Sequence, residues 1–430
     1  MQKYKQSEIG ELPDKWEVRK LGDIVVLCQY GLSTKLSRNG QYPVFRMNNI
    51  ENGKVVANDL KYVNLNKEVF EQFKLEKGDI LFNRTNSYDL VGKVGIFLLD
   101  GNYTFASYLI RIRANNQLSN PLFLNYYLNS EGIQDRFRNL ATRGVSQSNI
   151  NSVNLRSIDV AVPTLKEQTQ IASILSKVDD LIHKTEEIIE QTQRLKKGVM
   201  HQLLTRGIGH TKFKKTALGE VPEGWNIFTI QELKEMDTIY ELQDGNHGEL
   251  YPNKKHFSTV GKPFLTANSI RNGKVYYNEA PKLPEEFYKR LRIGFAKPGD
   301  VLFTHNATVG RVAILPEEAG NCIIGTSVTY YRLNTNKINR EYFAYALASP
   351  FFKRQLNSIM FQTTRTQVPI TKQAKLRLVV PPLEEQQKIA SILSILDKKS
   401  QLEVGKSDSL KDIKKWLMQK LLTGKIRVKV

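Results

Sequence analysis

The chain has 430 residues, of which 40% are apolar and 25% charged, a composition typical of a folded protein of two or three domains. Its 63 Lys and Arg residues outnumber its 43 Asp and Glu residues, and the formal charge of +20 favours polyanionic partners. Two distant cysteines exclude a disulfide framework and a cysteine zinc site, and they fit a reducing compartment. Because the sequence has neither a membrane-spanning apolar run nor the apolar core of a signal peptide, we expect a cytoplasmic protein.

The chain contains an internal repeat. Residues 162–175 and 380–393 share ten of fourteen residues at an offset of 218 positions. Further matched segments keep the same order, with offsets between 209 and 221: 9–16 with 218–225, 52–55 with 272–275, 77–82 with 298–303, 91–96 with 309–314 and 194–205 with 412–423. Because chance similarity would not preserve this order, the sequence predicts a duplication.

Each repeat begins with a module and ends with a helical stretch. Within the modules, short apolar runs bounded by turn residues, such as 78–82 and 299–303, predict strands. Residues 120–140 and 339–359 predict helices, so we expect a mixed α/β (α+β) fold whose strand order cannot be deduced. The predicted segments are a first module (1–162), a first long helix (163–207), a second module (208–380) and a second long helix (381–430).

The first long helix has clear end signals and a heptad pattern. Thr164 is the expected N-cap, Glu167 completes a capping box, and Gly207 ends a rod of about 63 Å. Apolar residues recur at alternating steps of three and four, with Thr185 and Thr192 in the same series. The apolar positions of this predicted seam are Ile171, Ile174, Val178, Leu181, Ile188, Leu195 and Val199.

The second long helix repeats this pattern except in its middle. Its predicted seam is formed by Ile389, Ile392, Leu396, Leu410, Ile413, Leu417 and Leu421. The intervening residues 398–409 are polar and include Gly405, which predicts a weakened or kinked seam there. Two matching helices in one chain most simply bury their apolar stripes against each other as an antiparallel coiled coil. The alternative is that each helix packs separately on its own module.

Most of the positive charge belongs to the modules. Residues 1–162 have a net charge of +5 and residues 207–380 have +9, whereas the first long helix has only +1. This distribution predicts two basic surfaces that bind duplex DNA and argues against a membrane-binding helix. Two interpretations of the basic segment 424–430 stay open: it contacts DNA phosphates or, more simply, it is a solvated terminus.

The sequence lacks a recognisable catalytic constellation. It has no phosphate-binding GxxxxGK[ST] loop, no amino-methyltransferase motif, and no metal-ligand spacing among its six histidines. Pro222, Glu223, Glu232 and Lys234 weakly match a nuclease pattern, but the first repeat has no equivalent Glu-x-Lys. We therefore expect a DNA-binding protein without enzymatic activity of its own. Trp16 and Trp225 are expected to anchor the module cores.

A module that opens with GxxPxxW, followed by EQxxIA at the head of a long helix ending in LLT, occurs twice over essentially the whole chain. This arrangement resembles the specificity subunit of type I restriction–modification systems. The resemblance implies two target-recognition domains that read the two halves of a split, asymmetric DNA sequence. It also implies two antiparallel helices, related by a pseudo-two-fold axis, that set the spacer between the half-sites.

The same resemblance implies partners that perform the chemistry. Two methyltransferase (modification) subunits would bind S-adenosylmethionine and dock on the helices, and restriction subunits would supply the ATP- and Mg²⁺-dependent translocase and nuclease. This chain would itself bind no cofactor and no metal. Two alternatives remain open: an assembly scaffold whose modules bind protein, and a DNA-reading subunit of a methylation-only or phage-defence system.

Three pairs of loops are candidates for base contact, because they differ between the repeats while their flanks agree. The first recognition loops are 45–54 and 265–274, the second are 83–93 and 304–311, and the third are 142–149 and 363–371. Arg suits guanine, Asn and Gln suit adenine, and Ser and Thr suit phosphates. The candidate residues of the first repeat are Arg46, Asn48, Asn49, Arg84, Thr85, Asn86, Ser87, Tyr88, Lys93, Arg143, Ser146, Gln147 and Ser148. Those of the second repeat are Thr266, Asn268, Ser269, His305, Asn306, Thr308, Arg311, Arg365, Thr366, Gln367 and Thr371.

Overall fold

The structure, a computed structural model, describes residues 3–88, 90–143, 148–361 and 367–429. The chain forms two compact units: unit 1 consists of Met1–Glu186 with Gly405–Val430, and unit 2 is Glu187–Val404. The boundary falls inside both long helices, so each unit contains one module and a segment of each helix.

The elements of the first repeat are mostly short strands followed by one long helix. The strands are β1 (Tyr4–Ser7), β2 (Gly10–Pro13), β3 (Glu17–Lys20), β4 (Val25–Tyr30), β5 (Tyr42–Phe45), β6 (Ile50–Glu51), β7 (Lys54–Val55), β8 (Lys61–Val63), β9 (Ile80–Asn83), β10 (Thr85–Asn86), β11 (Val94–Ile96), β12 (Thr104–Phe105), β13 (Leu109–Ala114), β14 (Thr142–Arg143), β15 (Ser148–Asn149) and β16 (Asp159–Val162). The helices are α1 (Lys67–Phe73), α2 (Pro121–Leu128), α3 (Glu131–Leu140), α4 (Ser152–Arg156) and the long α5 (Leu165–Arg206).

The second repeat has the same kinds of element in a closely similar order. Its strands are β17 (Phe213–Thr216), β18 (Gly219–Pro222), β19 (Asn226–Thr229), β20 (Ile239–Asp244), β21 (Lys262–Leu265), β22 (Ile270–Arg271), β23 (Lys274–Val275), β24 (Lys282–Leu283), β25 (Phe295–Ala296), β26 (Val301–Thr304), β27 (Val312–Ile314), β28 (Cys322–Ile324), β29 (Val328–Leu333) and β30 (Arg377–Val380). Its helices are α6 (Ile230–Glu235), α7 (Glu285–Tyr288), α8 (Arg340–Leu347), α9 (Pro350–Phe361), α10 (Ile370–Gln373) and the long α11 (Leu383–Leu421).

The strand pairings of the two modules match. The central sheet has the order β4-β13-β9-β11-β7-β6 in unit 1 and β20-β29-β26-β27 in unit 2. A second sheet contains the parallel pair β12–β5 in unit 1 and β28–β21 in unit 2. The entry hairpins β1–β2 and β17–β18 and the closing pairs β3–β16 and β19–β30 also correspond. The predicted duplication and mixed α/β fold are confirmed.

The two Asn-Gly pairs form the expected turns. Asn52 and Gly53 have φ values of 49° and 79°, and Asn272 and Gly273 have 51° and 72°. Positive φ at both central residues is the geometry of a type I′ hairpin turn, which Asn-Gly adopts with least strain. These turns join β6 to β7 and β22 to β23.

Segments of α5 and α11 pack against each other in both units. In unit 1 the Lys414 ammonium lies 2.6 Å from Asp179, and Lys411 lies 2.7 Å from Glu186. In unit 2 Lys196 pairs with Asp397. Residue numbers rise along α5 as they fall along α11 within unit 1, so the segments are antiparallel. The paired-helix prediction is confirmed over the alternative of separately packed helices.

The seam of α5 lies partly in a different heptad phase from the predicted one. Ile171, Thr185 and Thr192 are buried as expected, but Leu181, Ile188 and Leu195 are 50%, 36% and 56% exposed. The inward positions are one residue later, so the observed seam is Ile171, Leu175, Val178, Ile182, Thr185, Ile189, Thr192, Lys196, Val199 and Leu203. The phase could not be deduced because apolar residues stand in adjacent pairs, such as Ile188 and Ile189, and either member continues a heptad.

The same correction applies to α11. Ile392 and Ile413 are 39% and 48% exposed, and the following residues, Leu393 and Lys414, face inward instead. The observed seam is Ile389, Leu393, Leu396, Ser400, Glu403, Ser407, Leu410, Lys414, Leu417 and Leu421. The helix α11 is continuous from Leu383 to Leu421, so Gly405 does not interrupt it, and the weakened seam predicted there is seen as the polar seam positions Ser400, Glu403 and Ser407. Its polar middle keeps the heptad spacing and belongs to the seam.

A tryptophan–carboxylate contact fixes each module to its helix segments. Trp16 is fully buried and its indole donates to Glu167, with a nitrogen–oxygen distance of 3.1 Å. Arg427, which follows α11, pairs with the same carboxylate. The residues around this contact belong to one core that includes Ile171 and Leu421. We call the side chains of Trp16, Glu167 and Arg427 together the unit 1 clasp.

Unit 2 has an equivalent clasp, with a histidine in the place of the arginine. The buried Trp225 indole donates to Glu385 at 2.8 Å, and His210 Nε2 lies 2.9 Å from the same carboxylate. The core role expected for both tryptophans is therefore confirmed.

The capping box predicted at the start of α5, with Thr164 as N-cap, is only half formed. Thr164 accepts from the Glu167 N–H at 3.4 Å, while the Glu167 carboxylate is directed to the clasp.

Candidate nucleic-acid interface

The second and third recognition loops lie side by side in both units. In unit 1, Thr85 of β10 pairs with Asn149 of β15, and the Ile150 N–H donates to the Arg84 carbonyl at 2.9 Å. In unit 2, Asn306 bridges to Gln367, and the Val368 N–H donates to the His305 carbonyl at 2.9 Å. Segments about 60 residues apart in the sequence therefore form one surface, as expected for a composite interface.

The first recognition loop joins the same surface through a short connecting segment. In unit 2, Ser327 accepts the Ala267 N–H on its hydroxyl at 2.9 Å and the His305 N–H on its carbonyl at 3.0 Å. Arg311 extends this link, because its guanidinium donates to the Ala267 and Ile270 carbonyls. The three loops of unit 2 thus belong to one hydrogen-bonded assembly.

Unit 1 connects its loops through the equivalent segment. The Ala106 N–H donates to the Phe45 carbonyl at 2.9 Å, and the Arg84 N–H donates to the Tyr108 carbonyl at 3.0 Å. Phe45 begins the first recognition loop and Arg84 belongs to the second. The three predicted loops therefore converge in both units, although they are far apart along the chain.

Fourteen of the predicted contact residues have accessible side chains. Four are exposed: Asn48, Ser87, Asn268 and Thr371. Ten are half-buried: Arg46, Arg84, Asn86, Tyr88, Lys93, Thr266, Asn306, Thr308, Arg311 and Gln367. All three half-buried arginines have internal partners: Arg46 pairs with Asp59, Arg84 donates to the Ser107 carbonyl, and Arg311 donates to loop carbonyls. Amide and hydroxyl groups therefore dominate the accessible set.

Five predicted contact residues are buried, and at least two of them stabilise their own loops. Asn49 is fully buried, accepts the Arg46 N–H and donates to Asn58. Ser269 accepts the Thr266 N–H in the same way. The buried set is Asn49, Thr85, Ser148, Ser269 and His305. Of these, Asn49, Ser269 and His305 make side-chain hydrogen bonds within the module, and the DNA contacts predicted for the five buried residues stay predictions.

Some predicted residues lie outside the described structure. Ser146, Gln147, Arg365 and Thr366 fall between the described ranges. For Arg143 only the backbone is described, and it pairs with Ser148 in β14–β15. Their DNA contacts stay predictions.

A buried polar network connects the second and third recognition loops of unit 2. His305 Nδ1 lies 2.8 Å from the Thr329 hydroxyl, to which the Gln373 amide donates at 3.0 Å. Gln373 accepts from the Tyr331 hydroxyl at 2.7 Å and also donates to the Val368 carbonyl. All four side chains are at most 1% exposed. Buried polar groups are costly unless satisfied, so this arrangement holds the loops in one geometry.

Unit 1 has apolar residues at corresponding strand positions. Ile110 and Ile112 of β13 occupy the places of Thr329 and Tyr331 of β29, and both are fully buried. Arg84 directly follows β9, as His305 directly follows β26 in unit 2. The Arg84 guanidinium lies 4.8 Å from the Tyr30 ring centroid. The two modules therefore support the same loops with different chemistry.

His305 makes the stability of unit 2 depend on pH. Burial lowers the pKa of His305 below its usual range, and Asp244 opposes this effect only partly. A depressed pKa means that protonation favours the unfolded state, so stability is complete above about pH 6.5 and decreases as the pH falls. We expect a slope of up to about 1.4 kcal/mol per pH unit in the unfolding free energy of unit 2. The His305→Gln variant should show a flatter profile, and identical slopes in both proteins would contradict this prediction.

Sequence reasoning missed the aromatic side chains that support the unit 1 loops. Tyr30, at the end of β4, lies under Arg84 and accepts the Ser152 N–H on its hydroxyl at 2.8 Å. Tyr108 is 48% exposed beside the second recognition loop. These contacts join residues more than 20 positions apart, and no local sequence pattern signals them.

The described residues carry no group of three or more His, Cys, Asp or Glu side chains placed to hold a metal ion. Glu232, part of the weak nuclease-like pattern, caps α6 by accepting from Thr229. Within the described ranges, no helix is long and apolar enough to cross a membrane.

Comparison with known sequences shows the relationship of the chain. The type I restriction modification DNA specificity domain matches twice, over residues 13–194 and 222–412. The putative type I restriction enzyme MjaX specificity subunit of Methanocaldococcus jannaschii is 31% identical over 99% of this chain and 97% of its own length. The EcoKI specificity subunit of Escherichia coli K12 is 26% identical over 88% of this chain and 82% of its own length.

Solved structures show the same fold. The type I restriction–modification S subunit from M. genitalium matches with a TM-score of 0.60 at 18% identity, covering 94% of this chain and 96% of that one. A second solved structure, described as the structural basis underlying complex assembly and conformational transition of the type I R-M system, contains a chain that matches with a TM-score of 0.54 at 18% identity. The match covers 96% of this chain and 99% of that one. The predicted resemblance is confirmed: the chain belongs to the type I restriction–modification DNA specificity family and is a non-catalytic specificity subunit.

Proposed function

We propose that this specificity subunit reads a bipartite, asymmetric duplex sequence, with the module of each unit contacting one half. The observation that carries the proposal is one loop architecture with different accessible side chains. At equivalent positions, unit 1 has the half-buried Arg46 where unit 2 has Thr266, and the half-buried Arg84 where unit 2 has the buried His305. Because different side chains suit different base edges in the major groove, modules that differ in this way select different half-sites.

The charge of the modules supports duplex binding. The larger part of the +20 charge belongs to residues 1–162 and 207–380. Contacts between basic side chains and phosphates release counterions and supply sequence-independent affinity. Amide contacts to base edges would then add the specificity, so the two kinds of residue have separable effects.

We further propose that α5 and α11 set the spacer between the half-sites. Two binding modules on a rigid connection bind as one bivalent ligand, which raises specificity without new contacts. The heptad seam is maintained along both helices, including the polar middle of α11. This regular spacing supports the proposed role of the two helices as the spacer element.

The helices are also the proposed docking site for two methyltransferase subunits. Apolar side chains remain exposed on both helix segments of each unit, and exposed apolar patches mark interaction surfaces. These residues are Leu181, Ile413 and Trp416 in unit 1, and Ile188, Leu195, Ile395 and Leu402 in unit 2. Restriction subunits would join the same complex, which would act on DNA in the cytoplasm.

Methylation mapping tests the proposal. The chain is co-expressed with its methyltransferase in a host without adenine methylation, and modified adenines are located by sequencing. We expect a split motif with a fixed gap that disappears when the chain is omitted. A complex that forms but gives no methylation, or methylation independent of this chain, would contradict DNA reading and favour the scaffold alternative.

Single-residue variants then assign the half-sites. Asn268→Ala in unit 2 should relax one half of the motif, because a bidentate amide–adenine pair contributes about 1–3 kcal/mol of discrimination. Asn48→Ala in unit 1 is the matched variant and should relax only the other half. The readout is the fraction of each related sequence that becomes methylated. Relaxation of both halves by one variant would contradict the assignment of one module to each half-site.

A further inference from the structure

Each unit contains a fourth loop at the same place in the fold. It lies between the edge strand (β4 or β20) and the first recognition loop, at residues 31–40 in unit 1 and 245–261 in unit 2. Both begin at a glycine in close backbone contact: a Cβ on Gly31 would lie 2.4 Å from the Ala106 carbonyl oxygen, and one on Gly245 would lie 2.3 Å from that of Ile324. The loop start is therefore fixed in both units.

The fourth loop of unit 1 leaves the module beside the second recognition loop. The Ser107 N–H donates to the Leu32 carbonyl at 2.9 Å, and Arg84 donates to the Ser107 carbonyl at 3.4 Å. One peptide segment thus contacts both loops. Any duplex that contacts Arg84 passes close to the start of the fourth loop.

The equivalent relation exists in unit 2. Asp244, immediately before the loop, pairs in register with Thr329, whose hydroxyl contacts His305 of the second recognition loop. His247 of the fourth loop lies 3.1 Å from the Asp244 carboxylate. The fourth loop is therefore continuous with the proposed interface in both units.

The exposed charged side chains of the fourth loops are cationic except for Glu249. Lys35 and Arg38 in unit 1, and Lys254 and Lys255 in unit 2, have exposed side chains. Among the described residues none of the four takes part in an ion pair, in contrast to Arg46, which is held by Asp59. The loop of unit 1 contains no acidic residue, and that of unit 2 contains only Glu249. These cations are available for an external anion.

The loops differ in length. Residues 245–261 exceed residues 31–40 by seven, and the longer loop includes the helical turn Lys254–His256 that holds both lysines. Asn253 caps this turn by accepting the Lys255 N–H at 3.1 Å. The turn therefore carries two exposed lysines at consecutive positions.

We propose that the fourth loop of each unit is a further duplex-contact segment, in which Lys35 and Arg38 or Lys254 and Lys255 bind backbone phosphates flanking the half-site. This inference rests on the proposed function and extends it to residues outside the three recognition loops. Phosphate contacts carry no sequence information. The fourth loop therefore contributes affinity and register, and the longer loop of unit 2 contacts more of the flanking duplex.

The test is the salt dependence of duplex binding. The full chain, in complex with its co-expressed methyltransferase, is titrated with a duplex carrying the mapped motif and with a scrambled duplex at several salt concentrations. Each phosphate contact contributes about 0.9 to the slope of log K against log salt. Lys254→Gln with Lys255→Gln should reduce the slope by about 2 on both duplexes, with the methylated motif unchanged.

Two sets of variants complete the experiment. Lys35→Gln with Arg38→Gln should reduce the slope equally in unit 1, whereas Lys212→Gln with Lys215→Gln, exposed lysines at the entry hairpin of unit 2, should leave it unchanged. An unchanged slope in both fourth-loop variants, or a loss confined to the motif duplex, would overturn the inference. If the wild-type complex neither binds nor methylates DNA, the proposed function itself fails. That result is distinguishable from failure of the fourth-loop inference alone, in which the wild-type complex still binds and methylates its motif.

Discussion

Replacing Glu167 with alanine should destabilise unit 1 by about 3–5 kcal/mol, the cost of removing one partner from a buried ion pair. Glu167 is 1% exposed, and its carboxylate accepts from the Trp16 indole and pairs with Arg427. The variant leaves the Arg427 guanidinium without its anion and the Trp16 N–H without an acceptor. A loss of this size is a large part of the stability of a typical domain.

Hydrogen exchange measures this effect in each unit separately. We expect faster exchange in β9 and β13 of unit 1 and no change in β26 and β29 of unit 2. Lys166→Ala, at the exposed neighbouring position, is the control for helix propensity. Glu385→Ala should instead give faster exchange in β26 and β29 of unit 2, because Glu385 accepts from the Trp225 indole. A destabilisation below about 1 kcal/mol in Glu167→Ala would show that the clasp is not a determinant of stability.

Deleting one heptad from each long helix should abolish methylation at the original spacing and create a motif about three base pairs shorter. Seven residues correspond to about 10 Å of helix, and successive base pairs are about 3.4 Å apart. Removal of residues 186–192 and 403–409 keeps both heptad series in phase, because each deletion is seven residues long, and it leaves the Asp179–Lys414 and Lys196–Asp397 pairs in place. Neither half-site should change.

The matched deletion has a direct control. Removing residues 186–192 alone leaves seam residues of α11 without partners, and we expect loss of methylation at every spacing. Methylation mapping of both variants in the same host gives the answer. If the double deletion retained the original gap, the helices would not determine the spacer.

The general organisation of the fold could be predicted because the repeat appears as local sequence identity. The paired Trp16 and Trp225 segments, the Asn-Gly turns and the ends of α5 each depend on residues close together in sequence. The seam phase could not be predicted, since adjacent pairs such as Leu181 and Ile182 satisfy two heptad frames equally. In unit 1 the observed phase is the one that places Ile171 and Leu175 in the module core.

The recognition loops could be predicted as segments but not as individual contacts. Divergence between aligned repeats identifies loops, yet Asn49 and Ser269 use their polar groups to cap their own turns. His305 belongs to a network with Thr329 and Gln373, which are distant in sequence. Residue type alone does not distinguish a side chain that stabilises a loop from one that extends from it.

The division of the chain has a consequence for its synthesis. Unit 2 is one continuous stretch, Glu187–Val404, whereas unit 1 needs both Met1–Glu186 and the segment from Gly405 onward. At about 5–20 residues per second, the roughly 240 residues between Glu186 and Arg427 take about 12–50 s to translate. During this time the carboxylate of Glu167 lacks the guanidinium that neutralises it. Unit 1 can therefore be completed only after all of unit 2 has been translated.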